Sequence, residues 1–201
     1  MKPFRSFKPY RDRPLCFLDI ETTGTRPGVH EITEIGISHT KLGSLCLQIA
    51  PQHLDRADPD SLRISGFNSA DWVDADHFGI CVPRLAPYFE DATIVGHNVA
   101  GFDIPFLKAE FESAGFDSGD FFRDVIDTQV LARQFLVPLG LKFVGLQACM
   151  KFIGVDYEGA HNAHEDTVFA KKLYDYIIGN LKWHGTKDGK HIQESIFGSD
   201  G

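Results

Sequence analysis

Apolar and polar positions along this chain change period part-way through, and the change divides the predicted elements into two groups. Leu15, Cys16, Phe17 and Leu18 open a short apolar run that is stopped by Gly24, which reads as a buried strand. Ile32–Ser38 and Ser44–Ala50 alternate apolar and polar side chains, the period of a strand, with a turn between them at Lys41-Leu42-Gly43. Connections this short predict antiparallel pairing with the first strand. Residues 51–80, rich in Asp, Pro, Ser and His, predict irregular chain with a short helix and turn over Ser61–Phe67. From residue 81 the period lengthens. Val82–Glu90 reads as a helix with Pro83 in its first turn, and Ala92–Val95 as a strand halted at Gly96-His97-Asn98. Phe102–Ala114 has helical apolar spacing at Phe102, Phe106, Leu107, Phe111 and Ala114, and Gly115 closes it. A further strand is expected at Asp124–Asp127, then helices over Thr128–Phe135, Gly140–Ile153 and Ala163–Ile178, the last bounded by Gly179. Three strands followed by strands separated by helices predict an α/β fold, a mixed five-stranded sheet with helices on both faces. No internal repeat is visible.

Composition narrows this picture. With 201 residues and 43% hydrophobic content, the chain suits one domain over residues 15–180 with a polar, mobile tail over 181–201. No apolar run is long enough to cross a membrane, and residues 1–10 lack the apolar segment of a secretory signal. Cys16, Cys46, Cys81 and Cys149 are scattered with no CxxC pair, which argues against a zinc site and for reduced thiols in a cytoplasmic protein. The net charge of −8 is not that of a protein that coats duplexes. The charge is uneven, however. Residues 1–14 hold five basic side chains against Asp12 alone, a net +4 that leaves −12 on the remainder. This basic arm, interleaved with Phe4, Phe7 and Tyr10, reads either as a solvated tail or as a grip on single-stranded nucleic acid.

The candidate chemistry begins in the first strand. Asp19 and Glu21 are separated only by Ile20, so in a strand they project side by side from one face. Two carboxylates that close either reach solvent at a strand end or share a cation. Asp103 falls at the start of a helix, where a carboxylate is common because it faces the positive end of the helix dipole. Asp166 is harder to explain structurally. It lies three and four residues before Phe169 and Ala170, on the inward stripe that continues through Leu173, Tyr174, Ile177 and Ile178. A carboxylate on such a stripe is costly unless it is paired or metal-bound. His161 belongs to the loop before that helix, and His164 with Asp166 reads equally as an ordinary contact.

Taken in order, Asp19-Ile20-Glu21-Thr22-Thr23-Gly24, then His97-Asn98 through Phe102-Asp103, then His161-Asn162-Ala163-His164-Glu165-Asp166 resemble the three motifs of the DEDD 3′–5′ exonucleases. The HxAxxD form of the third motif resembles the histidine subgroup, which holds the proofreading subunit of bacterial replicative polymerases, stand-alone exonucleases and several ribonucleases. Pro59-Asp60-Ser61-Leu62-Arg63-Ile64-Ser65-Gly66-Phe67 is similar to a substrate-side loop of that subgroup. The resemblance implies a ribonuclease H-like fold and phosphodiester hydrolysis with two Mg²⁺ or Mn²⁺ ions about 4 Å apart. It implies that Asp19 bridges both ions, that Glu21 and Asp166 hold the ion that carries the attacking water, and that Asp103 supports the second. His161 is implied as the general base, for which an unperturbed pKa of about 6.5 is suitable. Thr22, Thr23 and Gly24 are implied to lie against the terminal sugar and base, Gly24 permitting close approach. Phe67 either stacks on terminal bases or closes the core. Asn98 and Phe102 belong to the second motif on the substrate side. His97 is a rival base, for which a structural role is preferred.

The resemblance therefore implies release of nucleoside 5′-monophosphates from the 3′ end of DNA, favouring single strands or frayed ends. RNA trimming by the same fold, or a non-catalytic nucleic-acid-binding module, are the alternatives. Single-stranded nucleic acid is the expected partner, DNA before RNA. A proofreading role calls for a polymerase partner, and Gln193-Glu194-Ser195-Ile196-Phe197 resembles the short peptides that dock on bacterial sliding clamps.

Overall fold

A computed structural model describes residues 13–157 and 162–180. Nearly all of the basic arm, His161, and the tail with its clamp-like peptide lie outside the described residues.

The central strand is β1 (Leu15–Thr22). It is flanked by β2 (Ile32–His39) and β4 (Thr93–Gly96), with β3 (Gly43–Gln48) and β5 (Val125–Asp127) at the edges, in the order β3-β2-β1-β4-β5. β2 runs antiparallel to β1, and β3 antiparallel to β2. β4 runs parallel to β1, and β5 parallel to β4. This is the mixed five-stranded sheet expected. Its middle strand is the one whose apolar run is least interrupted, because a strand covered on both faces has no solvent side to make polar.

Strand periodicity sorts β1 into two faces. Cys16, Leu18 and Ile20 enter a core shared with α2 (Phe78–Phe89) and α3 (Asp103–Ser113). At its centre the Phe111 ring meets Phe78, Phe89, Phe116, Phe121 and Phe122 at centroid distances of 5.1 to 6.2 Å, within the range that favours edge and tilted aromatic pairs. Phe17, Asp19 and Glu21 point the other way, toward α6 (Ala163–Gly179), where Phe17 meets Tyr174 edge-on at 5.7 Å. The helices α4 (Thr128–Phe135) and α5 (Leu146–Phe152) pack against α6 around Ala132, Cys149, Met150 and Leu173. Helices thus cover both faces.

Three boundaries differ from the pattern-based reading. The predicted helix over Gly140–Ile153 is only Leu146–Phe152. Gly140 adopts φ +107° after a 3₁₀ turn, and Gly145 is extended, so the apolar spacing of Leu141, Val144 and Leu146 belongs to a loop and a helix start. The helix expected to begin at Val82 starts at Phe78, so Pro83 and Pro87 both lie inside it rather than in a first turn. The short helix expected at Ser61–Phe67 is α1 (Pro59–Ile64). It begins two residues earlier because Asp58 caps it, accepting a hydrogen bond from the N–H of Asp60, with Pro59 at the first helical position.

α6 sits very close to the sheet. On β2, Ile35 and Ile37 face the aromatic core while Glu34 and Gly36 face α6. A Cβ at Gly36 would lie 2.2 Å from the carbonyl oxygen of Ala163, so only glycine lets the first turn of α6 rest on β2. This seating brings Asp166 over the end of β1.

Candidate active site

Three carboxylates converge where β1 ends beneath α6. One oxygen from each of Asp19, Glu21 and Asp166 lies within 4.8 Å of the others, and all three side chains are half-buried. Two mechanisms bring them together. The two-residue period of β1 puts Asp19 and Glu21 on the α6 face, and helical spacing carries Asp166 to the same place from the first turn of α6. Asp103, 3% exposed, is the first residue of α3; its carboxylate accepts hydrogen bonds from its own N–H and that of Ile20. Of the neighbouring charges that disfavour ionisation of Asp19, that of Asp103 is the largest.

The electrostatics follow from this crowding. Loss of water pushes the carboxyl of Asp19 well above its usual range, and the charges of Asp103, Asp166, Glu21 and Glu34 push it further. Glu21 is pushed up to about 7, first by burial and then by Asp166 and Glu34. Asp103 is raised mainly by burial, against the lowering effect of its two backbone hydrogen bonds. Carboxylates held this close without a compensating cation are an unfavourable arrangement, and hard oxygen donors in this number suit Mg²⁺ or Mn²⁺. The donor set therefore fits a divalent cation.

The remaining predicted residues fall into two groups. Thr22 and Thr23 are 6% and 1% exposed and build the turn after β1. The Thr22 hydroxyl donates to the carbonyl of Gly24 at 2.6 Å. The hydroxyl of Thr23 accepts from the N–H of Glu31 at 2.9 Å, its N–H donates to the carbonyl of Glu31, and its carbonyl accepts from the N–H of Asp58. Gly24 is buried, and a Cβ there would stand 2.1 Å from Nδ1 of His30, so its close neighbour within the fold is that ring. The imidazole of His97 is braced at both nitrogens, by the Thr128 hydroxyl at 3.1 Å and the carbonyl of Val144 at 2.8 Å, and burial lowers its pKa.

The second group is more accessible. Asn98 is exposed and holds φ +62°. Its backbone N–H and that of Ala100 donate to the two carboxylate oxygens of Asp127 at 3.0 and 3.2 Å. Phe102 is partly buried against Phe106, with centroids 5.0 Å apart. Phe67 is partly buried 5.0 Å from Trp72, whose indole N–H donates to the carbonyl of Thr33 at 2.8 Å. That contact fastens the α1 loop to β2.

Three side chains that the motifs did not single out also shape the site. Glu34 stands opposite Glu21 in the β1–β2 register and accepts the Ala163 N–H at 2.9 Å, holding the start of α6. Asp127 caps α4 and ties down the Asn98 turn. Tyr157 donates its hydroxyl to Oδ1 of Asp166 at 2.7 Å. Nothing local marked Glu34, which occupies an ordinary polar position of an alternating strand, and nothing local marked Tyr157.

Residues 16–174 match the family model described as Exonuclease (RNase T type). Among curated relatives, the PolC-type DNA polymerase III of Thermotoga maritima is 29% identical over 180 residues, which is 86% of this chain and 12% of that protein. The PolC-type DNA polymerase III of Mycoplasma genitalium is 26% identical over 194 residues, 92% of this chain and 13% of the relative. The chain thus spans about an eighth of the length of these relatives. Among solved structures, Escherichia coli exonuclease I in its zinc-bound complex with single-stranded DNA superposes with a TM-score of 0.70 at 18% identity, over 84% of this chain and 43% of that one. The same enzyme in complex with a dT13 oligonucleotide gives a TM-score of 0.71 at 17% identity, over 83% and 41%. The strand order, the converging carboxylates and the family match agree, and the chain belongs to the exonuclease family, in the DEDD 3′–5′ class that its motifs resemble.

Proposed function

We propose that this chain hydrolyses DNA from the 3′ end, preferring single-stranded or frayed termini, and that it does so with two divalent cations, Mg²⁺ or Mn²⁺. The observation that carries the reading is the convergence of Asp19, Glu21 and Asp166 within 4.8 Å at the end of β1, with Asp103 pressing on Asp19. Asp19, Glu21, Asp103 and Asp166 would hold the cations, which supply charge neutralisation at the phosphate and a more acidic water. His161, at the start of the HxAxxD motif, takes the proton of the attacking water. The turn built by Thr22, Thr23 and Gly24 fixes the end of β1, so that Asp19 and Glu21 keep their geometry while substrate enters. Phe67 and Phe102, each partly buried against an aromatic neighbour, offer ring surface to terminal bases, and Asn98, whose carbonyl accepts from the N–H of Phe102, is exposed.

Exonuclease I, the structural relative, is seen with single-stranded DNA, and the curated relatives are DNA polymerases; both favour DNA over RNA. A polymerase or a sliding clamp is the proposed partner, the clamp through Gln193–Phe197. The proposed compartment is the cytoplasm. Among the described residues no helix is long and apolar enough to span a membrane, and all four cysteines are free.

The test is a panel of 3′-labelled oligonucleotides: single-stranded DNA, duplex DNA, mismatched duplex and RNA, each with Mg²⁺, Mn²⁺ or chelator. Rapid release of labelled deoxynucleoside 5′-monophosphate from single-stranded and mismatched DNA, abolished by chelator, is expected. Faster release from RNA, or release that persists in chelator, contradicts the proposal.

A further inference from the structure

Tyr157 follows α5 and is neither part of an exonuclease motif nor explained by packing alone. Its hydroxyl donates to Oδ1 of Asp166 at 2.7 Å, a well-formed O–H···O bond. Its ring lies 4.6 Å from that of Phe169, tilted by 49°. Phe169 is three residues beyond Asp166 on α6, so the same helix face carries the carboxylate and the aromatic platform that aims the phenol at it. Lys172 Nζ sits 4.9 Å from the Phe169 ring centroid. The phenol is therefore held by its ring and directed by its neighbour.

Asp166 has reason to turn away. Asp19 and Glu21 each place an oxygen within 4.8 Å of one of its own, and the terminal torsion of a carboxylate is broad and roughly two-fold. A donor on Oδ1 makes the two oxygens inequivalent and restrains that torsion. We propose that Tyr157 is a positioning residue, fixing the carboxylate of Asp166 through Oδ1 so that its other oxygen is presented with Asp19 and Glu21 to a divalent cation. The inference rests on the cation-dependent reading of the site. It adds that the ligand set has an outer partner supplied from the loop after α5. Removing such partners typically weakens metal affinity or activity by about 10- to 100-fold.

The experiment uses the full chain and Tyr157→Phe, which keeps the ring against Phe169 and removes one oxygen atom. Free Mn²⁺ is titrated by electron paramagnetic resonance, the tyrosine ultraviolet difference spectrum is recorded on adding Mn²⁺, and kcat and KM are measured on a single-stranded oligonucleotide. The expected result is Mn²⁺ affinity lower by about 10- to 100-fold, loss of a Mn²⁺-induced tyrosine band, and a lower kcat with KM unchanged. Parental Mn²⁺ affinity in Tyr157→Phe overturns the proposal, and a raised KM with that affinity intact assigns the phenol to substrate instead. Asp166→Asn separates the two levels. If it too binds Mn²⁺ and cleaves like the parent, the cation reading itself fails. If it loses both while Tyr157→Phe loses neither, only the role of Tyr157 is wrong.

Discussion

Glu21 shows what it costs to build such a site from acidic groups. Its carboxyl is raised to about 7 from an ordinary value of 4.5, first by burial and then by the charges of Asp166 and Glu34. Between those two pH values the folded chain holds a proton that the unfolded chain has released. Stability from this group is therefore complete below about pH 4.5 and is lost as pH rises through about 7. Glu21→Gln mimics the protonated form. In chelator, the variant and the parent should melt together near pH 4.5, with the variant increasingly more stable up to pH 8; scanning calorimetry reads the difference. A gap that stays constant with pH would place Glu21 in an ordinary solvated environment. At this scale the sequence was informative where spacing alone decides orientation, as for Asp19 and Glu21 on a strand and Asp166 on a helix stripe. It was silent where a side chain works across the chain. Glu34 is 129 positions from the N–H it accepts, and Tyr157 reaches Asp166 from an irregular segment with no periodicity to orient it.

Among the elements, α6 and β2 set the geometry of the site. Their contact depends on Gly36, where a methyl group would stand 2.2 Å from the backbone carbonyl of Ala163 and cannot be relieved by a rotamer change. Gly36→Ala should cost about 1–3 kcal/mol as an overpacked contact and, by lifting the first turn of α6, lower Mn²⁺ affinity as well. Phe111→Ala, on the opposite face of the sheet, should cost about 3–5 kcal/mol yet leave Mn²⁺ affinity of the folded protein unchanged. Thermal melts with Mn²⁺ titration of both variants check the contrast; equal loss of affinity in both would mean that α6 has no special part. All five strands were legible because β-branched and aromatic runs here are bounded by clear turn residues. The span of α5 was not, because Leu141, Val144 and Leu146 imitate helical spacing across Gly140 and Gly145, whose backbone conformations break it. Likewise, reading Pro83 as a first-turn proline set the start of α2 at Val82, four residues after its actual start at Phe78.

For the molecule as a whole, a net charge of −8 fits the proposed polyanionic substrate when the acidic cluster is neutralised by cations where phosphate approaches. Asp19, Glu21 and Asp166 come from two distant parts of the chain and converge on the α6 face of the sheet, with the charge of Asp103, from the start of α3, acting on Asp19; this arrangement is the feature on which the enzymatic reading stands. Anomalous diffraction from crystals of the chain soaked in Mn²⁺ tests this most directly. The account predicts manganese density bounded by Asp19, Glu21 and Asp166, with Asp103 beside it. Well-ordered crystals with those four carboxylates bare and manganese bound elsewhere would contradict it.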